Sequence, residues 1–485
     1  MALVPELADV PDSIVASRTA ASIGELTSGV QRLSAQLEQL RNALVGVSSV
    51  PLSGEYSGGL VSLLEGTSEL AQWAQARHAS LLDDTMLASG ELAHMHAIDY
   101  ELRLLGLQLG IYESELRAVL TGTVQADALT CLVIAQQPFP ISVKQGKPVS
   151  QPTLLRVLKA ARAVIKPLGP AQAAIVSGSS KAKKQQTVKV DGNEAPLDDS
   201  ALTAQFAALS FPVGSRLKPV SLQFSLQVEL EGYGRRQALV LQSDASGELI
   251  VKTNENQWDE TEGTLLLRAT WPSAESRVTW ARFCNVLQRH YTTATRQSVM
   301  DPVRPLGPAD FNYVHKVKFD ASTTHVSQKD FKRFWEWFGP YMHRIRYQRH
   351  LCPLWHKGLL FGFIDRAQTE TLLMSSGRVG AFLLRFSERV AGQFAVSYLV
   401  NVVDTMALAV RHYLVKDSDT AGAKKTLPDF LREYKEFSLI VQLQRDAITG
   451  RRYAVLVDKH VALEEYYSKK SLESAFDGYE ETIVL

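Results

Sequence analysis

The chain has 485 residues, of which 45% are hydrophobic and 21% are charged. That length predicts about three domains and excludes a single core. The apolar fraction and moderate charge are those of a folded protein rather than a disordered chain. Lysine and arginine number 52 against 51 aspartates and glutamates, so any nucleic-acid contact has to come from local basic patches rather than from the net charge.

Three cysteines lie far apart, at Cys131, Cys284 and Cys352, which predicts reduced thiols without a disulfide framework or a metal site. The first residues lack a signal-peptide pattern, and no apolar stretch approaches membrane-spanning length. We therefore expect an intracellular protein that does not insert into membranes. No phosphate loop, kinase motif set or nucleophile elbow is present, so we expect no enzyme and no cofactor.

Residues 1–127 are predicted to form a helical bundle. In the first helix apolar residues recur in alternating steps of three and four, the coiled-coil period; they are Ile23, Leu26, Val30, Leu33, Leu37, Leu40 and Leu44. A turn at 51–59 precedes a second helix at about 60–82, and a third follows at about 85–120. Short connections make neighbouring helices antiparallel, which predicts an elongated bundle of three or four helices.

Residues 128–278 change to short apolar runs separated by glycine and proline turns, a pattern typical of an antiparallel β-sandwich. The predicted strands include 129–135, 222–230, 237–241, 248–251 and 264–268. Two loops of this region carry clustered cations: Lys181, Lys183 and Lys184 in one, Arg235 and Arg236 in the other. Such clusters can neutralise the phosphates of a nucleic acid, and the alternative is that they are solvated surface charges.

Residues 279–358 return to a helical pattern, beginning with apolar positions on one face of a helix that starts near Thr279. Four aromatic residues of this region are expected to pack in a core rather than to form a binding surface; they are Trp335, Trp337, Phe338 and Trp355.

Residues 380–388 predict a buried strand with one arginine in its middle. Alternation places Phe382, Leu384 and Phe386 on one face and Leu383 and Arg385 on the other. A guanidinium on such a face favours a planar anionic partner, because its fork donates two parallel hydrogen bonds to a carboxylate or phosphate. The alternative is a structural ion pair or an edge arginine with its charge in solvent.

The segments around this strand complete a recognisable pattern. A helix capped by Asp365 precedes it, with Arg366 in the first turn, and strands at 393–400 and 408–415 follow it. This arrangement around Leu383-Leu384-Arg385-Phe386-Ser387 resembles a Src-homology-2 (SH2) domain, whose strand arginine binds phosphotyrosine. The tryptophan-rich segments 334–338 and 354–363 and the tyrosine-containing tail narrow the resemblance to the signal transducers and activators of transcription, the STAT family.

The resemblance implies a multidomain fold with these boundaries: a helical-bundle (coiled-coil) domain at 1–127, an immunoglobulin-like β-sandwich DNA-binding domain at 128–278, a helical linker domain at 279–358, an α+β SH2 domain at 359–467 and a phosphotyrosine tail at 468–485. It further implies a short member, without the family's separate N-terminal domain and without a long transactivation tail.

For the phosphotyrosine site, the resemblance implies Arg385 as the bidentate phosphate ligand, Ser387 and Glu388 in a loop that closes over it, and Arg366 as a second cation. His412 is a further candidate, with strand packing or solvent exposure as the alternative. The family usually has lysine where Arg366 falls and serine where Arg389 falls. Both differences keep or add positive charge, so we include Arg389 among the expected phosphate-binding residues.

The implied function is that of a latent transcription factor. The resemblance implies that an upstream tyrosine kinase or phosphorylated receptor partner leads to phosphorylation of Tyr479. The protein then forms a homodimer by reciprocal phosphotyrosine capture. The dimer moves from the cytoplasm to the nucleus and binds double-stranded DNA through the sandwich cations. The competing hypothesis is a phosphotyrosine-dependent adaptor that holds partners with its helical bundle and never binds DNA.

Overall fold

The computed structural model contains a helical bundle, a β-sandwich, a second helical region and an α+β domain, in that order along the chain. It describes residues 13–47, 54–137, 142–149, 151–176, 190–215, 217–272, 275–298, 301–320, 322–402, 407–420, 426–446 and 452–468. Within those ranges, no helix combines the length and the apolar character that crossing a bilayer requires.

Three long helices form the described part of the bundle: α1 (Ser13–Val45), α2 (Gly54–Asp84) and α3 (Ser89–Thr121). The predicted coiled-coil positions of α1 face its partners, since Leu26, Leu33 and Leu40 are fully buried. Helices α1 and α2 approach closely at Gly29, where any Cβ would overlap the Trp73 ring. The periodicity therefore predicted the buried stripe of α1 correctly.

Two antiparallel sheets form the sandwich. One has the strand order β1-β3-β8-β7; the other has the order β10-β9-β5-β6, with β4 also paired to β9. Phe206 and Phe224 meet across the two sheets with ring centroids 5.1 Å apart, as expected for two apolar faces packed together. The strands are β1 (Thr130–Gln136), β2 (Val143–Lys144), β3 (Thr153–Lys159), β4 (Val164–Pro167), β5 (Ala171–Val176), β6 (Glu194–Ala195), β7 (Leu197–Asp198), β8 (Thr203–Phe206), β9 (Ser221–Gly232), β10 (Arg235–Gln242) and β11 (Val251–Lys252), of which β11 pairs in parallel with β2.

The predicted strand at 264–268 is wrong, because these residues lie within helix α4 (Trp258–Thr270). Buried positions in this helix recur every three or four residues, at Trp258, Thr261, Glu262, Leu265 and Leu266. A run of three leucines fits a strand as well as a helix when it is considered alone, and the helical period shows only over the longer segment. The second helical region therefore begins at Trp258, before the predicted start at residue 279.

Helices α4 and α5 (Trp280–Ala294) form one helix-loop-helix, and α6 (Pro308–Lys318) and α7 (Gln328–Tyr347) form a second. Short strands in the two loops, β12 (Arg277–Thr279) and β13 (His325–Ser327), pair antiparallel and join the two units. Helix α8 (Leu351–His356) follows. Trp337, Phe338 and Trp355 are buried and Trp335 is half-buried, so these aromatic residues pack in the interior as predicted.

In the last domain the described residues form a five-stranded sheet of order β16-β15-β14-β17-β18, in which only the β14–β17 pair is parallel. Phe382, Leu384 and Phe386 pack into a core that continues through the preceding helical region, while Leu383 packs beneath α9. The predicted alternation along this strand is confirmed. The elements are α9 (Arg366–Ser376), β14 (Ala381–Phe386), β15 (Phe394–Asn401), β16 (Leu408–Leu414), α10 (Leu427–Glu433), β17 (Leu439–Arg445), β18 (Arg452–Asp458) and α11 (Lys459–Leu463).

Buried polar side chains connect the bundle to its neighbours. The Asn285 amide on α5 donates to the carbonyls of Leu82 and Thr85, each at 2.9 Å, and accepts from the Leu87 amide at 3.0 Å. Glu115 on α3, fully buried, accepts from the backbone amide of Ala161 at 2.6 Å and from the Tyr233 hydroxyl. Each side chain forms hydrogen bonds with backbone or hydroxyl groups that would otherwise be buried without a partner.

Candidate anion-binding site

Arg385 lies on β14, the middle strand of the sheet, and its side chain is only 8% exposed. The Nε–H donates to Ser397 Oγ at 3.3 Å, and Nη1 donates to the carbonyl of Phe386 at 3.3 Å and to Glu388 Oε1 at 3.4 Å. Neutral oxygens thus orient the guanidinium from inside the domain, and a carboxylate from the following loop supplies the negative charge. A buried cation held in this way is suited to binding an anion.

A chain of hydrogen bonds continues from Arg385 across the sheet. Ser397 on β15 is fully buried, and its Oγ lies 2.8 Å from Nδ1 of His412 on β16. His412 Nε2 lies 3.0 Å from Glu370 Oε1 on α9. Because a carboxylate only accepts, Nε2 carries the proton, and Nδ1 of the neutral ring accepts from the Ser397 hydroxyl.

Burial lowers the pKa of His412, and the nearby charges of Arg366 and Arg385 act in the same direction, whereas the hydrogen bond to Glu370 opposes them. The imidazole is therefore neutral at pH 7. In this state His412 positions Ser397, and Ser397 positions Arg385. The structure thus brings His412 to the site, as a contributor to Arg385 orientation.

Helix α9 begins beside Arg385. The Asp365 carboxylate caps it by accepting from the Gln368 amide at 2.7 Å, as the sequence predicted. The Arg366 side chain is 65% exposed at the edge of the site, and its Nε donates to Glu370 at 2.9 Å. Hydrogen bonds from Arg366 and His412 lower the pKa of Glu370. The predicted second cation is near the site and is already paired with a carboxylate.

The loop after β14 places Glu388 over the guanidinium. Its Oε1 accepts from both Arg385 Nη1 and the backbone amide of Arg366, the latter at 3.2 Å. The Ser387 hydroxyl instead accepts from the Val390 amide at 3.0 Å, so it shapes the loop. Arg389 is exposed, and its side chain makes no hydrogen bond or ion pair within the described ranges.

The preceding helical region holds the loop backbone. Trp337 Nε1 donates to the Ser387 carbonyl at 2.9 Å, and Lys318 Nζ donates to the Glu388 carbonyl at 3.0 Å. The Tyr341 hydroxyl lies 2.8 to 2.9 Å from the carbonyls of Ser387, Val390 and Gln393, which compete for its single proton. The loop backbone is therefore anchored, and of its side chains Ser387 is buried, Glu388 is half-buried and Arg389 is exposed.

Sequence reasoning missed several of these residues. Ser397 could have been found, because antiparallel pairing aligns it with Leu383 and His412 on the face that carries Arg385. Glu370 could also have been found, since it lies one helical turn after Arg366. No local signal connects Lys318 with the loop, because 70 residues separate it from Glu388.

The two predicted cation clusters of the sandwich differ in whether the structure describes them. Arg235 and Arg236 begin strand β10 and do not lie in a loop, because the two-residue turn Tyr233-Gly234 has positive φ at both positions and lets strand pairing resume at once. The Arg236 guanidinium pairs with Glu229 at 3.6 Å and Glu231 at 3.3 Å, whereas Arg235 is exposed. Outside the described residues lie Lys181, Lys183, Lys184 and Tyr479.

Three family models match consecutive parts of this chain. They are described as a STATa immunoglobulin-like domain at residues 130–252, an EF-hand fold domain at 254–348 and an SH2 domain at 359–443. The second match agrees with the paired helix-loop-helix units of α4 to α7. Neither of their loops, at 271–279 and 319–327, has the carboxylate spacing of a calcium-binding loop.

Curated relatives align along most of the chain. Signal transducer and activator of transcription A of Dictyostelium discoideum is 34% identical over 409 residues, which are 83% of this chain and 56% of that protein. Signal transducer and activator of transcription B of the same organism is 32% identical over 423 residues, 80% of this chain and 36% of that protein. A Drosophila melanogaster signal transducer and transcription activator is 26% identical over 205 residues, covering 40% of this chain and 24% of that protein. The chain thus spans about half the length of the first of these relatives and about a third of the second.

Proposed function

This chain belongs to the STAT family of signal transducers and activators of transcription, and we propose that it is a transcription regulator switched by tyrosine phosphorylation. One observation carries the proposal: the buried Arg385 guanidinium, oriented by Ser397, faces the loop that holds Glu388. A phosphotyrosine side chain is long enough to bring its phosphate to a cation at the floor of a pocket, and arginine binds phosphate through two parallel bonds.

The proposed sequence of events starts with an upstream tyrosine kinase, acting directly or through a phosphorylated receptor. Phosphorylation of Tyr479 adds a charge of about −1.5 to −2 and strong acceptor oxygens to the tail. Two chains then capture each other's phosphotyrosine, and the dimer enters the nucleus and binds double-stranded DNA through its sandwich domains. The proposal includes no enzymatic activity and no cofactor.

Capture between chains has to compete with capture within one chain. About a dozen residues separate Tyr467 from Tyr479, enough to span roughly 40 Å when extended, so length alone permits either. Reciprocal capture forms two linked contacts, and such linkage raises overall affinity by a factor of about 100 to 10,000. This gain favours the homodimer.

A phosphotyrosine-dependent adaptor that does not bind DNA is the second candidate. The observation in its favour is that Arg236, one of the cations expected to contact DNA, is already paired with Glu229 and Glu231. Binding of a DNA duplex with steep salt dependence would exclude the adaptor.

The pocket is tested with a peptide of residues 473–485 that carries phosphotyrosine at 479. We expect Arg385→Lys to weaken binding by at least about 2 kcal/mol, because a lysine cannot form the bidentate pair. Arg411→Lys, at an exposed position on β16 of the same sheet, is the matched control and should bind like the parent. Equal binding of this peptide by the parent and a folded Arg385→Lys variant would show that Arg385 is not the phosphate ligand.

Dimerisation is tested by solution mass with and without phosphate on Tyr479. Phosphorylation should convert the chain into a stable dimer, and Tyr479→Phe should prevent this. A phosphorylated Arg385→Ala chain mixed with a Tyr479→Phe chain should still pair through one contact, though less tightly. A phosphorylated parent that stays monomeric at micromolar concentration with its pocket occupied would mean that capture is intramolecular.

A further inference from the structure

We propose that the Glu388 carboxylate is an internal competitor for the phosphate site, and this inference rests on the proposed function. Glu388 Oε1 accepts from the Arg385 guanidinium at 3.4 Å and from the first backbone amide of α9, that of Arg366, at 3.2 Å. A guanidinium and a helix N-terminal amide are the kinds of donor that a phosphate oxygen uses. A side chain of the protein itself therefore occupies the position that a phosphate oxygen would take.

The geometry allows this carboxylate to leave. Both hydrogen bonds are at the long end of the usual range, and the Glu388 side chain is 33% exposed. The loop backbone, in contrast, is held by Trp337, Tyr341 and Lys318. Release of the site thus requires only a rotation of the Glu388 side chain into solvent, with the loop carbonyls staying in place.

The charges decide which ligands displace it. A carboxylate carries one negative charge, whereas a phosphotyrosine phosphate carries about −1.5 to −2 and presents three strong acceptor oxygens. Every incoming anion has to replace the contacts of Glu388, so the competitor lowers the affinity for all anions. Weaker monoanionic groups, such as sulfotyrosine, then bind too poorly to be captured, and the dianionic phosphate remains the ligand of the site.

Competition predicts opposite effects on the free and the bound protein. Glu388→Gln removes a charged acceptor of Arg385, so it should lower the melting temperature of the ligand-free protein. The same change should tighten binding of the 473–485 phosphotyrosine peptide by roughly 5- to 10-fold, because a neutral amide holds the guanidinium less strongly. A residue with a merely structural role, or one that contacts the ligand, would instead weaken binding when changed.

The experiment compares titrations of the phosphotyrosine peptide and a sulfotyrosine peptide of the same sequence into the parent, Glu388→Gln, Glu388→Ala and Glu464→Gln. Glu464 is exposed in the same domain, so its variant controls for the loss of one negative charge. We expect tighter binding of both peptides to both Glu388 variants and unchanged binding to the control. The alanine variant keeps the test valid if the glutamine variant does not fold.

The outcomes separate the two proposals. If the parent binds the phosphotyrosine peptide and both Glu388 variants bind it equally or more weakly, the competitor proposal is wrong and the proposed phosphotyrosine function stands. If neither the parent nor the variants bind the phosphotyrosine peptide, the proposed function is wrong, and the competitor proposal, which rests on it, is wrong as well.

Discussion

Lys252 shows how a single buried charge responds to its surroundings. It lies on β11, is only 4% exposed, and donates from Nζ to the Tyr347 hydroxyl on α7 at 2.8 Å. Burial lowers its pKa from 10.5 to about 8, and the nearby Glu262 carboxylate opposes this change. The residue thus links the sandwich to the second helical region by a contact whose charge depends on pH.

Replacing Lys252 with methionine should change how stability depends on pH. The unfolded lysine keeps its proton up to pH 10.5 and the folded one only up to about 8, so above pH 8 the unfolded state binds more protons. Stability of the parent should therefore rise with pH from about 8 towards 10, and Lys252→Met should remove that rise. Urea midpoints at pH 7, 8, 9 and 10 measure this rise, with Lys147→Met, at an exposed position, as the control. Parallel pH profiles for parent and Lys252→Met would contradict the prediction.

Backbone geometry is decisive where α8 meets the SH2 sheet. Gly358 has φ of +72°, its carbonyl accepts from the Leu443 amide of β17 at 2.9 Å, and a Cβ there would overlap the Leu443 carbonyl oxygen. Gly377, at the C-terminus of α9, has φ of +59° with open space where a Cβ would lie. The two glycines share the left-handed conformation and differ in the room available.

This pair separates backbone strain from steric overlap. Gly377→Ala should lower the free energy of unfolding by about 1 to 2 kcal/mol, the cost of a left-handed alanine. Gly358→Ala should cost that amount and at least about 2 kcal/mol more, because β17 has to move. Chemical denaturation of both variants measures the difference. Equal losses would show that the contact between Gly358 and β17 does not constrain the structure.

At the scale of the whole molecule, two of the apolar cores in the described residues continue across domain boundaries and hold neighbouring domains together. One runs from the bundle into the sandwich, and the other runs from the second helical region into the SH2 sheet, where the Trp355 ring stacks on Phe386 at 5.5 Å. The loop that carries Glu388 is anchored by side chains of that helical region, so the candidate site belongs to two domains at once. An isolated SH2 segment would lack these anchors.

DNA binding is the whole-molecule property that separates the two candidate functions. If Lys181, Lys183 and Lys184 contact phosphates, replacing all three with alanine should weaken binding of the phosphorylated protein to any duplex and reduce the salt slope by up to about three units. Alanine at Lys329, Lys332 and Lys435, which are exposed elsewhere, is the control for lost charge. Titration of a random-sequence duplex at several salt concentrations measures both quantities. Unchanged affinity and slope would remove this loop from the interface.

The sequence by itself determined the features that depend on near neighbours along the chain. The stripe of Leu26, Leu33 and Leu40, the Asp365 cap and the alternation around Arg385 follow from helix and strand periods, so they were predictable. The same patterns, with the motif around Arg385, were enough to identify the family.

Only the tertiary structure decided the features that depend on distant contacts. Residues 264–268 are helical because burial against neighbouring helices selects between two conformations that both suit a short apolar run. Lys318 reaches the Glu388 carbonyl across 70 residues of chain, and Glu388 itself turns inward because folding brings the start of α9 beside Arg385. These contacts join segments that are far apart in sequence. Buried polar groups need hydrogen-bond partners, and folding determines which side chains lie close enough to supply them.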